Sequence, residues 1–523
     1  ASNNTAVGHV ALSANTTGTF NVAVGANALD ANTTASYNTS IGYNSLTANT
    51  TGSSNTAVGS NALEATTTGY YNSGLGQGAL FANTTGHNNS GFGYNVLNAN
   101  TTGAFNTAVG SLALGDNTTG VSNTAIGGNA LENNTTASNN TAVGKDSLKA
   151  NTTGTQNTAV GAEALKATTT GVQNSALGLA ALYANTTGSD NTALGRSALS
   201  ANTTASNNTA VGSSALVANT TGTENTSVGM NSLAANTTAS NNTAVGAASL
   251  NGNTTGADNT AFGRHALVNN TTANSNTAVG TDALKANTTG NQQTAVGADS
   301  LLSNTTGTEN TAFGFDALKT CTTGTTNSGI GKQSLRSLTT GTGNTALGIH
   351  AGYGITTGSN NLTLGQDAGR SNSPSGNLVD GSNTVCLGDN NIGFLFCADT
   401  SISSSDSRDK TDVADFSIGL TWINALRPVT YKWDRRTWYG TDEEPFGTPD
   451  GSKKRSKTHI GFLAQEALEV EKANGYGSSN DDSLVVNLTE DGMSYGMKYE
   501  RLVPILVNAI KELSTKVTAL EAG

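Results

Sequence analysis

The sequence predicts a mainly β protein: a parallel β-solenoid shaft of 22 short repeats, followed by a small α/β domain that ends in a helix. Three observations lead there. Glycine recurs every 17 residues from Gly8 through Gly25, Gly42 and Gly59 to Gly365, without an insertion. Each of these glycines follows a short alternating segment of the form N-T-A-V, the pattern of a strand. All five prolines and all three tryptophans of the 523 residues lie beyond residue 370, where the period stops, so two regions of different physics share one polypeptide.

The unit reads N-T-A-V-G-x-x-A-L-x-A-N-T-T-G-x-x. Its residue before the glycine is always apolar, its asparagine four before the glycine fails only at Gln293, and its leucine four after gives way only to Gly352 and Gly369. A period this strict suits a solenoid, in which each coil stacks equivalent residues on the next. N-T-A-V supplies the strand, and T-T-G, sometimes T-T-A, supplies the turn. The x-x-A-L-x-A-N segment suits one short helical turn, but 17 residues with a glycine and a turn cannot hold two packed helices. Stacking at about 4.8 Å over 21 intervals gives a rod on the order of 100 Å long. Asn4, Asn21, Asn38 and their successors are expected to form an amide ladder along it. The interior is thin: the equivalents of Val7 and Leu12 and one or two alanines per coil are the candidate core. One chain would bury little apolar area that way, which predicts several chains around a common axis.

Composition limits the partners. A net charge of -11 and few clustered cations give no footprint for a phosphate backbone, so nucleic acid is not expected. No apolar run reaches the 18 or so residues that span a bilayer, and Ala1 opens directly into the repeat without a signal-like segment; a soluble chain with no membrane insertion is expected. Cys321, Cys386 and Cys397 are too few for a disulfide framework and lack zinc spacing, so no metal site and no cofactor is assigned. They read as small buried side chains, with a Cys386–Cys397 pair left open. The five histidines are scattered and read as surface residues. N-T-T is formally a glycosylation sequon, read here as turn chemistry.

Beyond Gly369 the turn-rich S-N-S-P-S-G at 371–376 is a joint, and N-T-V-C-L-G at 383–388 with I-G-F-L-F-C at 392–397 forms a β-like stem. Four motifs follow: S-D-S-R-D-K (Ser405–Lys410), I-G-L-T-W-I-N-A-L-R-P-V-T-Y-K-W (Ile418–Trp433), H-I-G-F-L-A-Q-E (His459–Glu466) and Y-G-M-K-Y-E-R-L-V-P-I-L-V-N-A-I-K-E-L (Tyr495–Leu513). In the last, Val503, Leu506, Ile510, Leu513, Val517 and Leu520 are spaced 3, 4, 3, 4, 3, a heptad seam. Such a seam packs either on its own domain or on other copies. The K-K-R-S-K run (Lys453–Lys457) reads as a solvated loop beside the acidic residues 442–444.

In order and spacing the four motifs resemble the endosialidase-type intramolecular chaperone, a self-cleaving peptidase domain found at the C-terminus of phage tail fibres and tailspikes. The repeat itself resembles the β-rolls of trimeric bacterial adhesin heads and, more closely, the N-T-T-G repeats of phage-type tail fibres. These resemblances imply a parallel homotrimer with a shaft at 1–370, a joint and stem at 371–404, and a chaperone at 405–523 whose helix spans 499–522. They imply a serine–lysine dyad of Ser405 and Lys410 that cuts the chain once between Ser404 and Ser405. They also imply loops near Lys453–Lys457 that grip the shaft. Without the resemblance, S-D-S-R-D-K is an ordinary helix-start or turn motif. A lysine accepts a proton only when desolvated or set beside another cation, and Asp406 and Asp409 work against that unless they point elsewhere.

The function expected is a virion tail fibre that attaches to a host cell-surface glycan or protein receptor and joins other tail or fibre proteins through its N-terminus. A bacterial surface adhesin carrying the same chaperone is the alternative. A polysaccharide depolymerase is disfavoured because glycosidases need two carboxylates about 5 to 10 Å apart and the repeats carry few acids. The rows of Thr16, Thr33 and Thr50 permit an ice-binding face, for which no thermal hysteresis is expected. A ligand would meet the variable positions after each glycine and around each turn.

Overall fold

A computed structural model describes residues 1–373, 375–392, 410–440, 444, 446–488 and 495–523. The chain divides into two units, Ala1–Glu309 and Asn310–Gly523. The first is a parallel solenoid. With coil 1 taken as residues 1–17, each coil contributes one three-residue strand, from β1 (Thr5–Val7) to β18 (Thr294–Val296). Strands pair in parallel with each residue opposite its equivalent 17 positions on, Thr5 opposite Val22 and Thr158 opposite Ser175. The second unit opens with more of the same coil, β19 (Thr311–Phe313) to β22 (Leu362–Leu364). Leu362 then lies opposite Val385 of β23 (Val385–Leu387), an offset of 23. The stem around 383–388 is therefore one further coil with six residues inserted.

Glycine at the period has a steric cause. Gly25 has a φ of +135°, and a Cβ there would lie 2.4 Å from the carbonyl oxygen of Gly42 in the next coil, so only a residue without a side chain allows the coils to stack. After it the chain runs through tight turns, and the described shaft contains no helical turn. The leucine that follows is fully buried yet left-handed, with φ +51° at Leu29 and +50° at Leu165. That conformation costs on the order of 1–2 kcal/mol, while burying a leucine returns about 1.5–3 kcal/mol. Burial wins for leucine, whereas a β-branched residue would be strained further. Where the leucine gives way to Gly352, a side chain there would strike Leu335 and Ile355. Ile355, like Leu338 one coil earlier, is a buried apolar residue where most coils carry asparagine, and it lies against Gly352.

The expected place of the Val7 equivalents is corrected. They point out of the coil: Phe262 is 56% and Leu347 51% exposed. Side chains alternate along a strand, and Ala23, Ala57 and Ala159 at the middle position are the ones fully buried. The core is alanine and leucine, and an apolar row is left outside.

Asparagines satisfy the turns. Asn38 donates its backbone N–H to Asn21 Oδ1 at 3.0 Å and its side-chain Nδ2 to the Gly52 carbonyl at 2.9 Å. A second ladder, not foreseen, runs through the N-T-T asparagines, where Asn49 Nδ2 donates to Asn32 Oδ1 at 3.1 Å and to Gly52 O at 3.0 Å. Both ladders converge on the turn carbonyl. The sequon asparagines Asn32, Asn49 and Asn83 are fully buried, which places their amides out of reach of glycosylation in the folded coil. Thr33 and Thr50 donate their hydroxyls to the next coil's threonine carbonyl at 3.3 and 3.1 Å, so that row serves the stack. Cys321 and Cys386 are buried; Cys397 lies outside the described residues.

The C-terminal part of the second unit is small and mixed. Its elements are α1 (Leu420–Ala425), β24 (Val429–Tyr431), β25 (His459–Gly461), α2 (Ala464–Ala473), β26 (Val486–Leu488), β27 (Tyr495–Met497) and α3 (Leu502–Glu521). β24 pairs antiparallel with β25, and β26 with β27. One core holds Trp422, Leu426, Ala467, Val485, Val486, Leu502 and Ile505. Among the described residues no helix is long and apolar enough to cross a membrane.

Candidate assembly and self-processing site

The motifs that lie apart in sequence meet through specific contacts. Gly419, in I-G-L-T-W, sits against α3, where a Cβ would come within 3.0 Å of the Ala509 nitrogen. Glu512 of α3 accepts the Leu420 N–H at 3.2 Å, and Asn508 donates to the carbonyls of Phe416 and Ile418. Arg427 pairs with Glu466, joining R-P to Q-E. Tyr499 Oη accepts the Phe462 N–H at 3.2 Å. A Cβ at Gly461 would lie 2.6 Å from that oxygen, which accounts for the glycine of H-I-G-F. Glu471 is fully buried and its carboxylate accepts from Ser483 Oγ and the N–H groups of Leu484, Val485 and Val486 at 2.6–3.1 Å.

These contacts decide what the heptad seam does. α3 turns Leu502, Ile505 and Ala509 into its own core and leaves the seam outside, with Val503 57%, Ile510 65% and Leu520 81% exposed. Residues 513–523 are exposed all round. Among the described residues the seam is not packed on its own domain.

A second cluster lies where the last coil meets this domain. Arg435 Nη1 donates to Asn390 Oδ1 at 2.6 Å, and Asn390 Nδ2 donates to Thr437 Oγ1 at 2.7 Å. Arg435 lies 4.3 Å over the Trp433 ring and Arg455 5.0 Å over Trp438, cation–π contacts that hold long cationic side chains flat. Burial, with the Arg455 guanidinium near it, pushes Arg435 below the usual arginine range. Asn372, Asn390, Asn391, Lys453 and Arg455 line one cavity. The K-K-R-S-K run is exposed throughout, as a solvated loop is, and two of its side chains, Lys453 and Arg455, share this cavity with Asn372 and Asn390 at the end of the shaft. Asn390, Arg435 and Trp438 were not singled out from the sequence, and Trp433 only as the last residue of a longer motif; the interleaved arginines and tryptophans of W-D-R-R-T-W are the signal that marks the last three.

Residues 405–476 match the family described as the chaperone of endosialidase. The C-terminal domain is an endosialidase-type chaperone. Together with the 17-residue parallel solenoid it fits a tail-fibre-like protein. The resemblance read from the sequence runs to the chain's end, whereas the matched segment stops at 476; β27 and α3 are joined to the chaperone by the shared core of Trp422, Ala467, Leu502 and Ile505. No curated protein and no solved structure matches the chain. Of the dyad, Ser405 and the cleavage partner Ser404 lie outside the described residues, as do Asp406 and Asp409. Lys410 is described and is solvent-exposed. A lysine serves as a base only once desolvated.

Proposed function

We propose that the chain is a homotrimeric bacteriophage tail fibre for host-surface attachment, assembled by its chaperone, which then cuts itself free between Ser404 and Ser405. The observation that carries the trimer is the outward seam of α3: six apolar side chains at heptad spacing, left over after the domain has built its core from a different stripe of the same helix. The exposed apolar row of the shaft agrees with it, because a row that is apolar in all 22 coils needs cover along its whole length.

Assembly and cleavage are coupled by desolvation. In the trimer a neighbouring chain covers Lys410, whose Nζ takes the proton of the Ser405 hydroxyl as the oxygen attacks the Ser404 carbonyl carbon. The C–N bond breaks and its nitrogen takes the proton; water then hydrolyses the resulting ester, leaving a Ser404 carboxylate and a free Ser405. An unassembled chain does not cut, so cleavage reports correct folding. Once the chaperone leaves, the shaft persists because its unfolding is slow.

The test is a denaturing gel with N-terminal sequencing. Wild type is expected to release a 119-residue fragment beginning Ser405-Asp406-Ser407. Ser405→Ala and Lys410→Ala should each remain one 52.5 kDa chain that still forms trimers. An intact wild-type chain in well-formed trimers would refute self-cleavage and leave the chaperone as a permanent cap.

A further inference from the structure

The two turn positions that directly follow T-T-G, the second and third of each coil, carry aromatic side chains only near the N-terminus. Phe20, Tyr37, Tyr70, Tyr71, His87 and Phe105 occupy them in coils 2 to 7, and no aromatic ring occupies either position in coils 8 to 22. The later coils build the same left-handed corner with polar residues, Gln156, Asp190 and Glu224 among them. The rings are therefore not needed for the turn. They are also costly where they stand: Tyr37 is 62%, Tyr71 61% and Phe105 58% exposed, on a protein that otherwise buries little apolar surface.

They form a ribbon. Phe20 and Tyr37 stack at 5.2 Å between ring centroids, and Tyr70 meets His87 at 4.8 Å, which meets Phe105 at 5.2 Å. Between the two groups coil 4 carries Ser53 and Ser54 instead. Two coil spacings, about 9.6 Å, separate the backbone at Tyr37 from that at Tyr71, enough to admit one further ring at van der Waals contact of about 3.5–4 Å on each side. Neither position carries Asp, Glu, Lys or Arg anywhere in coils 1 to 7.

The geometry points to a binding site for an uncharged linear oligosaccharide along the corner of coils 2 to 7, with Tyr37 and Tyr71 flanking a sugar ring over Ser54. A pyranose has an apolar C–H face that stacks on an aromatic ring and a rim of hydroxyls that Ser53, Ser54 and Asn88 can meet. A second copy of the chain is not the occupant, because the shaft's self-contact must run its whole length. The row equivalent to Val7 does so and this one does not. The ribbon is one or two residues wide, which suits an extended polymer better than the roughly 800 Å² per side of a stable protein interface. The absence of fixed charge selects against an anionic polymer.

This site rests on the host-attachment reading and specifies what it binds. The intact protein is run through native gels holding dextran, yeast mannan or laminarin, with hyaluronan as the anionic comparison. Retardation by at least one neutral polymer is expected. Tyr37→Ala with Tyr71→Ala should weaken it on the order of ten-fold, while Tyr183→Ala, an exposed tyrosine of coil 11 at another coil position, leaves it unchanged; both variants should keep the wild-type circular dichroism and trimer mass. No retardation by any neutral polymer, retardation only by hyaluronan, an undiminished double variant, or loss of the trimer in that variant would each overturn the site. Adsorption of labelled fibre to intact host cells separates the two readings: adsorption unaffected by the double variant removes this site and keeps attachment, and adsorption to none removes attachment itself.

Discussion

Gln293 stands where the other 21 coils carry asparagine. It keeps one ladder bond, its N–H donating to Asn276 Oδ1 at 3.0 Å. Its longer side chain turns the amide to Asn287 Oδ1 and to the Gly290 carbonyl. That carbonyl is the acceptor Asn276 would reach by the rule of its neighbours, as Asn259 reaches Ala273 at 2.8 Å. Asn276 Nδ2 and Gln293 Oε1 are consequently buried without a partner. A buried polar atom left unmade costs about 1–3 kcal/mol, so Gln293→Asn is expected to stabilise coils 17 and 18 by about 1–2 kcal/mol. Hydrogen exchange of the amides from 276 to 294 checks it, since stability in a repeat protein is read locally; unchanged or faster exchange in the variant would show that the ladder has no such requirement.

At the scale of the element, α3 separates two tasks on two stripes. Leu502, Ile505 and Ala509 are buried in the chaperone core, and Ile510 and Leu513 are not. Ile510→Asp with Leu513→Asp should therefore leave the helical content of the full-length chain nearly intact while sedimentation shows monomers in place of trimers. Ile505→Asp should instead unfold the chaperone, because an unpaired charge would enter the cluster around Trp422. Trimers that survive the double substitution would remove α3 from assembly. The acids of the shaft make a smaller, local contribution. Asp316 is buried, and although burial itself works against ionisation, hydrogen bonds from Lys319 and Gln333 together with the Lys319 charge hold its carboxyl below the usual value of 3.8. A depressed carboxyl contributes stability above its unfolded value and loses it as pH falls through the folded one. Coils 19 and 20 should accordingly loosen only below about pH 4, observable as faster exchange there, and Asp316→Asn should remove that pH dependence.

Across the whole molecule, the decisive contrast is between two leucines in neighbouring coils. Leu165 is fully buried within its coil, and Leu177, of the outward row, is 48% exposed. Leu165→Asp places a charge in the coil's own interior and should reduce both β content and trimer yield. Leu177→Asp leaves each coil able to form and places three carboxylates where the chains meet. It should lower trimer yield with the β signal of the soluble chain retained, whereas substitutions at Glu163, half-exposed and paired with Lys166 at 2.8 Å, should change neither. Normal trimers from Leu177→Asp would move the interface to another face of the coil.

The solenoid was legible because stacking imposes an unbroken period, and a glycine every 17 residues has few other uses. The chaperone was legible because its motifs are dense in residues with fixed roles, such as Gly419 against α3 and Gly461 against Tyr499. The sequence also displayed the heptad seam, though not which side of α3 faced the domain; that needed the competing stripe of Leu502, Ile505 and Ala509 to be seen filling the core. The outward Val7 row was hidden for a related reason. Hydrophobicity suggests the interior, but the alternation of a strand gives only its middle position, that of Ala23 and Ala57, to the core. The junction of Asn390, Thr437 and Arg435 joins residues more than 40 positions apart. No local pattern encodes such a pairing, so periodicity determined the coil from the sequence, while which surface remained free, and what it met, was decided only when distant side chains competed for the same space.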